Sequence, residues 1–398
     1  MIEIQNDFKS KSKCCGCSAC VLSCPSKCIE MKYDEEGFSY PVVCNEKCID
    51  CGICESVCPE LSNKNHNNVS ESEFYCAYSS DKDIVYKSSS GGIFSELAKR
   101  IIDENGVVYG VRVESDNERG KGEFWPRHAR AESLSEYSDF RKSKYLQSNI
   151  NGTYVLVAED LKIGRKVLFS GTPCQIAGLY KFLEINKNIC MENLYTVDLI
   201  CHGVPSAAIF ESYIDTLEEK KGIRPISMSW RDKKFGWSKP SISIVYMDGS
   251  KDLFVEDKVT SYQHGFLSGL YLRPSCYGCQ FSVLPRYADI SLGDFWRYEG
   301  ELDNRDGGLS LVVVNNKKGH ELFEVCKSCI MFEQVSKDLA VEKSDWLSKA
   351  PSHHPLRRRV LEDFQKNGFG YLEKHYINPN FINRVIRKIY CHLDLHRK

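Results

Sequence analysis

Long apolar runs and an excess of charge of either sign are both missing from this 398-residue chain. Because no run of 18 apolar residues occurs, the sequence argues against a membrane-spanning helix. The opening segment, MIEIQNDFKSKSK, is polar, which argues against a secretion signal. The formal net charge of −1 gives no general reason to expect binding to nucleic acid or to a membrane. We therefore expect a cytoplasmic protein.

Cysteine, in contrast, is abundant: the chain holds 20, and eleven of them lie between residues 14 and 59. The cytosol keeps thiols reduced, so this composition favours metal clusters or redox chemistry over disulfides. The chain is also longer than the roughly 250 to 300 residues that one hydrophobic core usually serves, and more than one domain is expected.

Two copies of one cysteine spacing stand at the start of the chain, Cys14-x₂-Cys17-x₂-Cys20-x₃-Cys24-Pro25 and Cys48-x₂-Cys51-x₂-Cys54-x₃-Cys58-Pro59. This spacing is typical of bacterial two-cluster ferredoxins, in which the fourth cysteine of each run binds the other cluster. The first predicted [4Fe-4S] site, called the first set, is Cys14, Cys17, Cys20 and Cys58. The other predicted site, called the second set, is Cys48, Cys51, Cys54 and Cys24.

Zinc and disulfides are the alternatives, but zinc usually takes two pairs of ligands rather than two sets of four. A radical S-adenosylmethionine motif overlaps at Cys44, Cys48 and Cys51, and it competes for cysteines that the ferredoxin pattern uses. Cys15, Cys28 and Cys44 are left over as structural thiols. Between the runs, residues 29–33 and 38–42 alternate around a turn at 34–37, which predicts a hairpin that covers the clusters.

After a polar linker at 62–73, three strands are each predicted to end in a loop that leads into a helix. The loops are KSSSGG at 87–92, SGTPC at 170–174 and CHGVPS at 201–206. Ligands bind at the carboxyl edge of such a sheet. A helix start like Ser88–Gly92 can bind phosphate, although a plain capped helix is the alternative. Thr172 suits the N-cap of the helix after SGTPC, and Pro173 suits its first position. Farther along, Asp248-Gly249 predicts a hairpin turn.

A third group of cysteines accompanies these loops. Cys174 and Cys201 lie in two of them, and Cys276 and Cys279 precede the predicted strand 288–292. Four thiols from loops at one edge are enough for a third [4Fe-4S] cluster, called here the third set. Cys174 could instead be an activated nucleophile at a helix start.

Some residues permit more than one interpretation. His202 is a ligand neighbour, a proton relay or a hydrogen-bonded polar residue, while Cys326 and Cys329 are predicted to pack in a helix. The segments Trp230-Arg231 and Phe235-Gly236-Trp237 could stack on a flat ligand or pack in the core. The basic residues 378–398 predict a helix that contacts a membrane surface or a partner, or packs on the body.

The ordered motifs together resemble one protein family. They are SSSGG at 88–92, SKY at 143–145, SGTPCQ at 170–175, CHGVPS at 201–206, CYGC at 276–279 and GDFW at 293–296. The chain resembles the beta-subunit family of the coenzyme F420 hydrogenases and dehydrogenases, in a stand-alone form with an N-terminal ferredoxin domain. The resemblance implies an FAD-binding α/β body with its own [4Fe-4S] cluster, held by the third set.

The resemblance also implies the flavin contacts, which are Ser89, Ser90, Gly91, Gly92, Ser143, Lys144 and Tyr145. Lys144 would stabilise negative charge on reduced FAD, or it is a surface lysine. The implied activity is electron transfer between a hydride carrier, such as coenzyme F420, FAD and the clusters, which pass electrons to ferredoxin or a redox partner. Similar stand-alone proteins occur in polysaccharide biosynthesis. The alternatives are an electron-transfer subunit without its own substrate and a structural or assembly protein of glycan biosynthesis.

The expected architecture is a mixed α/β fold in which a two-cluster ferredoxin domain precedes a flavin-binding α/β domain. The predicted boundaries are 1–63 for the ferredoxin domain, 74–165 and 166–340 for the two parts of the body, and 341–398 for a basic helical tail.

Overall fold

The computed structural model describes residues 11–61, 67–116, 123–186, 189–239, 241–255, 260–302, 304 and 306–378. Its strands are β1 Ile29–Tyr33, β2 Ser39–Val43, β3 Glu73–Ser79, β4 Val107–Asp116, β5 Glu123–Ala131, β6 Val167–Gly171, β7 Leu194–Leu199, β8 Pro225–Asp232, β9 Ser241–Tyr246, β10 Lys251–Phe254, β11 Ile290–Asp294, β12 Ser310–Val314 and β13 Ile330–Gln334. The α-helices are α1 Ala19–Leu22, α2 Ile53–Ser56, α3 Lys82–Lys87, α4 Ile93–Asp103, α5 Leu134–Tyr137, α6 Thr153–Lys162, α7 Pro173–Glu184, α8 Ala207–Lys221, α9 Ser261–Leu267, α10 Lys317–Cys326, α11 Lys337–Lys343 and α12 Arg357–Leu372.

The N-terminal unit consists of the β1–β2 hairpin and the two one-turn helices α1 and α2, so the predicted hairpin is confirmed. Its turn forms because the Asp34 carboxylate accepts hydrogen bonds from the backbone N–H groups of Glu36 and Phe38. Phe38, directly before β2, and Tyr40 on β2 are buried and pack against Cys14. The hairpin therefore covers one of the cysteine runs.

The body is built on an eight-stranded mixed sheet with the order β13-β3-β12-β11-β7-β6-β4-β5. Strands β4, β6, β7 and β11 are parallel, and β12 is antiparallel both to β11 and to β3. Strand β3 consequently runs in the same direction as β6 and β7. The segments that follow these three strands leave one edge of the sheet, as the sequence predicted. After β3, however, the helix α3 comes before the SSSGG loop, which the sequence did not predict.

Both faces of this sheet are covered by helices, because successive strand residues point to opposite sides. Val107 and Tyr109 of β4 pack in a core with α6 and α7, whereas Val108 packs in another with α4 and α10. The predicted boundary at 165/166 falls inside this continuous sheet. A mixed α/β fold follows a ferredoxin-like unit, as expected.

A smaller antiparallel sheet, β10-β9-β8, packs with α8, α9 and α12 in a third core. It contains the predicted hairpin around Asp248-Gly249. Helix α12 continues into a π-helical turn, Glu373–Ile377, while the basic segment predicted beyond it, 379–398, lies outside the described residues. Within the described ranges, no helix combines the length and apolar character that crossing a membrane requires.

The ferredoxin-like unit is held on the body through its hairpin turn. The Gly37 carbonyl accepts a hydrogen bond from Ala207 N–H, and the side chain of Ser206 donates to the Glu36 carbonyl at 2.6 Å. The Glu36 carboxylate forms a two-point ion pair with Arg357, at 2.6 and 3.3 Å. Gly37 has a φ of +79°, and an added Cβ would lie 2.4 Å from Ala208 N. Only glycine fits this contact with the start of α8.

Candidate functional site

The first set of thiols is brought together by the fold. Cys17 and Cys20 lie on either side of the start of α1, and Cys58 follows α2. Burial raises the pKa of the Cys20 thiol, and the nearby thiols of Cys14 and Cys58 raise it further. Cys17 is buried in the body core, in which Val57 also packs. The four thiols are thus clustered and largely shielded from water, which suits a cluster site of low dielectric.

The second set lies farther from the body. Cys51 is exposed and Cys24, Cys48 and Cys54 are half-buried. Cys24 Sγ lies 3.4 Å from Cys28 Sγ. Cys48 is also close enough to influence the pKa of the Cys28 thiol. Although burial raises the pKa of Cys24, its hydrogen bond with Ser26 contributes to lowering it to about 7, which favours the thiolate that iron requires.

The third set comes from three separate segments of the body. Cys174 lies in the first turn of α7, and Cys201 follows β7. Cys276 lies within a 3₁₀ turn at Pro274–Gly278, and Cys279 directly follows it. Burial, together with the nearby thiols of Cys174 and Cys279, raises the pKa of the Cys201 thiol to about 12. Burial also raises the pKa of the Cys276 thiol, and the nearby thiols of Cys201 and Cys279 raise it further. The fold thus brings all four predicted thiols of this set close together.

The local structure around Cys174 and Cys276 also fits a sulfur ligand site. Thr172 and Gln175 form a capping box at the start of α7, and Pro173 occupies its first turn, as the sequence predicted. The backbone N–H of Val204, three residues after Cys201, donates to Cys276 Sγ at 3.3 Å. Backbone N–H donors to sulfur are characteristic of iron-sulfur sites.

Cys15 joins the first and third sets, a role that the sequence did not reveal. Its thiol lies close enough to those of Cys17 and Cys174 to shift the pKa of both. Its backbone carbonyl accepts a bond from Gln147 Nε2 at 2.9 Å. The sequence pattern left Cys15 over as a structural thiol because it falls outside the repeat. The structure makes it the contact between the two groups of cysteines.

Among the residues that the structure describes, no three His, Cys, Asp or Glu side chains are arranged to hold one metal ion. Ligands to the corners of a four-iron cluster stand farther apart than ligands to one ion. Grouped buried thiols repel one another when ionised, and bound iron removes that repulsion.

The predicted flavin loops meet at the same edge of the sheet. Ser89 Oγ lies 3.2 Å from Ser143 Oγ, so the loop after β3 and the SKY segment are in contact. Ser90 donates to the Leu309 carbonyl at 2.6 Å, and Gly91 N–H donates to Ser310 Oγ at 3.0 Å. These bonds anchor the loop on β12. The remaining predicted contact in this loop, Gly92, has a φ of +85° and precedes α4.

Lys144 and Tyr145 are engaged within the protein. Lys144 Nζ donates to the carbonyls of Asp139 and Arg141, at 3.0 and 2.6 Å, and burial lowers its pKa to about 7. The Tyr145 ring packs edge-on against Trp230, with 5.5 Å between ring centroids. Lys144 thus stabilises the loop that carries Ser143. The flavin roles assigned to both residues stay predictions.

Three cations surround this edge. Arg231 pairs with Asp294 at 2.7 Å and donates to the Ser89 carbonyl, and its guanidinium lies 4.6 Å from the Trp296 ring centre. Lys233 Nζ donates to three backbone carbonyls, those of Val85, Ser90 and Gly307.

Lys142, the third cation, has a φ of +67°, a conformation that non-glycine residues rarely adopt. The sequence pointed to Arg231 but gave no signal for Lys142 and Lys233. Cationic and hydroxyl groups of this kind fit the diphosphate of a dinucleotide.

The other residues that the sequence left open differ in their surroundings. The rings of Trp237 and Trp296 stack on each other at 4.0 Å, so Trp237 packs inside the protein. His202 Nε2 bonds to the Phe266 carbonyl, while its Nδ1 is buried without a partner. Cys326 is buried in α10, as predicted, and Cys329 is exposed.

Family models match nearly the whole body and the N-terminal unit. The body matches the two models of the family "Coenzyme F420 hydrogenase/dehydrogenase, beta subunit", the N-terminal model over residues 74–153 and the C-terminal model over residues 164–338. A "4Fe-4S dicluster domain" matches residues 13–61. The two body models together cover well over half of the chain.

Individual relatives are more distant. Coenzyme F420-dependent sulfite reductase of Methanocaldococcus jannaschii is 24% identical over 353 residues, 83% of this chain and 49% of that protein. The chain therefore spans about half the length of this curated relative. Pyruvate synthase subunit PorD of Methanothermobacter marburgensis is 36% identical over 52 residues, 13% of this chain and 54% of that one. A chain of the F420-reducing [NiFe] hydrogenase complex from Methanosarcina barkeri aligns with a TM-score of 0.44 and 20% identity, covering 73% of this chain and 91% of that one.

Proposed function

Since the chain belongs to the coenzyme F420 hydrogenase/dehydrogenase beta-subunit family, we propose that it is a flavin-dependent iron-sulfur protein that moves electrons between a hydride carrier and a redox partner. The observation that carries the proposal is the contact of Cys15 with both Cys17 and Cys174, because it joins two groups of thiols into one path. Electron transfer needs such closely spaced centres.

The proposed path begins at the body edge and ends at the second set. Cys174 of the third set lies near the segment that follows Ser143, because the neighbouring Gln175 donates to the Ser148 carbonyl at 3.2 Å. The first set follows through Cys15. Cys54 of the second set lies close enough to Cys20 to influence its thiol, which supports the second set as the next site. Cys51 is exposed, so the second set is the one a partner protein can approach.

FAD is proposed to bind where the SSSGG loop meets the SKY segment. Ser89, Ser143 and Lys142 would contact its phosphates, and Arg231 would hold the loop in place through the Ser89 carbonyl. When bound, FAD supplies conversion between the two electrons of a hydride and the single electrons that clusters accept. The protein side chains contribute orientation and exclusion of water, which hydride transfer requires more than a general base.

Reduced coenzyme F420 is proposed as the hydride carrier because the sulfite reductase relative is named for its dependence on it. The direct test is anaerobic purification of the full chain with iron and flavin assays. Reduced coenzyme F420, NADH and reduced ferredoxin are then added in turn, and bleaching of the flavin absorbance is followed. Iron without flavin would overturn the flavin-dependent part of the proposal.

A matched pair of cysteine variants tests the third cluster. Cys201→Ser should lower the iron content by about a third, since one of three proposed four-iron clusters is lost. Cys329→Ser should leave it unchanged, because Cys329 is exposed and outside all three sets. Equal iron in both variants would remove the third set from the path.

A second candidate function is an electron-transfer subunit with no substrate of its own. The match over 52 residues to a subunit of pyruvate synthase favours it. This candidate predicts no reduction by any hydride donor alone, and reduction once the partner is added. The context of polysaccharide biosynthesis and an assembly role stay predictions. Loss of fold without loss of redox activity in Cys48→Ser would favour assembly.

A further inference from the structure

Arg273 of the body enters the ferredoxin-like unit and contacts the first set. It lies in the loop between α9 and the turn that carries Cys276, and its side chain is fully buried. Nε donates to the Cys14 carbonyl at 2.7 Å, and Nη2 donates to the Ser39 carbonyl at 2.8 Å. The same Nη2 lies 3.8 Å from Cys14 Sγ, within reach of an N–H to sulfur bond. A positive charge therefore sits against one sulfur of the first set.

The oxygen atoms that Arg273 reaches are neutral. Besides the two carbonyls, Nη1 donates to the side-chain oxygen of Gln147 at 3.1 Å. Glu60, whose carboxyl is within electrostatic influence of this guanidinium, accepts a bond from Gln280 at 2.5 Å instead. The ring of Tyr40 lies 4.4 Å from the guanidinium carbon.

Two other buried arginines of the chain are each paired with a carboxylate. Arg286 faces Asp198 at 3.2 Å, and Arg357 faces Glu36 at 2.6 Å. A buried guanidinium without a carboxylate is costly unless another negative charge compensates it. At Arg273 the candidate for that charge is the cysteine-ligated cluster, which gains negative charge when it accepts an electron.

The second set has different surroundings, although its spacing is the same. Cys48 Sγ lies 3.7 Å from a carboxylate oxygen of Asp50, at an exposed position. A neighbouring carboxylate disfavours added negative charge, whereas a neighbouring cation favours it. Cys14 of the first set thus faces a buried cation, whereas Cys48 of the second set faces an exposed carboxylate. Glu60 also influences Cys58 of the first set, but its carboxyl is bonded to Gln280.

We propose that Arg273 raises the reduction potential of the cluster at the first set above that of the cluster at the second set, an inference that rests on the proposed function. The reason is twofold. The buried cation stabilises the extra electron in a medium of low dielectric, and its N–H group bonds to the Cys14 sulfur. Arg273 is a positioning and tuning residue that belongs to the body yet acts on the ferredoxin-like unit.

The experiment measures potentials rather than activity. The full chain and its variants are poised anaerobically at stepwise potentials, and the reduced clusters are quantified by electron paramagnetic resonance. Cys51→Ser removes the second-set signal and so assigns the two ferredoxin clusters. In the unaltered chain, the first-set cluster should have the higher potential.

Arg273→Gln should lower the ratio of reduced to oxidised first-set cluster about tenfold at a fixed potential, which is about 59 mV for a one-electron couple. The second-set cluster should change less than about twofold, because Arg273 does not contact it. Arg273→Lys, which keeps the charge, should restore most of the loss. Arg357→Gln is the control, since it alters a buried arginine at the same junction.

An unchanged first-set potential in Arg273→Gln with full iron content would overturn the inference. So would a first-set potential at or below that of the second set in the unaltered chain, a comparison that holds even where Arg273→Gln does not fold. A chain purified without ferredoxin iron would overturn the proposed function itself, and is recognised by the iron assay before any potential is measured.

Discussion

The two ferredoxin cysteine runs have the same spacing, yet the fold places them in unlike environments. Cys17 of the first set is buried, and the body reaches this set through Gln147, Gly178 and Arg273. In the second set Cys51 is exposed, and the neighbouring Ile49 is 64% exposed. The comparison indicates that one site is internal to the proposed electron path and the other is its contact with a partner. Variants that disturb one site and spare the other test that difference.

The largest effect is expected on stability, in a comparison of Cys17→Ser with Cys51→Ser. Both should lose about one cluster of iron, since each removes one ligand. Cys17→Ser should also lower stability markedly, because Cys17 packs in the body core with α7. Iron assay and thermal unfolding check this. Equal loss of stability in both variants would contradict the assignment of inner and outer sites.

The next largest effect is expected from Gly178→Ala, on the cluster at the first set. A Cβ at Gly178 would lie 2.8 Å from Cys17 Cβ and 2.9 Å from its Sγ, so the side chain would displace the cysteine. Alanine in a helix is otherwise worth about 1 kcal/mol relative to glycine. We expect loss of the first-set cluster while the body stays folded, measured by iron content and circular dichroism.

The matched control for Gly178→Ala is Gly370→Ala in α12, where an added Cβ meets no atom within 4 Å. This variant should keep its iron and gain a little stability. Retention of the first-set cluster in Gly178→Ala would show that α7 does not press on Cys17 as described.

Glu36→Gln should weaken the attachment of the ferredoxin-like unit. It removes the carboxylate that Arg357, 3% exposed, pairs with. Because Glu36 is partly exposed, we expect a loss of about 1–3 kcal/mol, less than for a fully buried pair. Urea unfolding measures it, with Glu35→Gln at the exposed neighbouring position as control. A loss no larger than the control's would mean that this pair does not hold the unit.

The smallest effect is expected at the exposed side. Ile49→Ala should change the free energy of unfolding by less than about 0.5 kcal/mol. Electron transfer to an added two-cluster ferredoxin should slow by about threefold, as for loss of a peripheral apolar contact. Ile226→Ala, an exposed isoleucine on β8, is the control and should leave the rate unchanged. Equal rates in the two variants would place partner contact elsewhere.

Many local features followed from the sequence because they depend on neighbouring residues. The hairpin around Asp34, the cap at Thr172 with Pro173, and the hairpin around Asp248-Gly249 were all confirmed. The shared direction of β3, β6 and β7 was also anticipated, since loop chemistry repeated after each strand. Periodicity and turn residues suffice for such features.

The contacts between distant segments did not follow. Arg273 lies outside every motif, and it is 259 positions away from Cys14 in the chain, so no sequence pattern signals their contact. Lys233 likewise joins Val85, Ser90 and Gly307 without any sequence pattern. Such contacts depend on how the sheet folds back on itself, which periodicity does not encode.

The sequence by itself determined which cysteines belong to which repeat, because cluster ligation demands a fixed local spacing. It also predicted that Cys174, Cys201, Cys276 and Cys279 would meet. Only the tertiary structure decided that the two repeats are unequal. The body buries Cys17 of the first set and places a buried cation against Cys14, while Cys51 of the second set stays exposed. Burial and charge are properties of the assembled surface, so two identical spacings acquire different surroundings when only one of them faces the body.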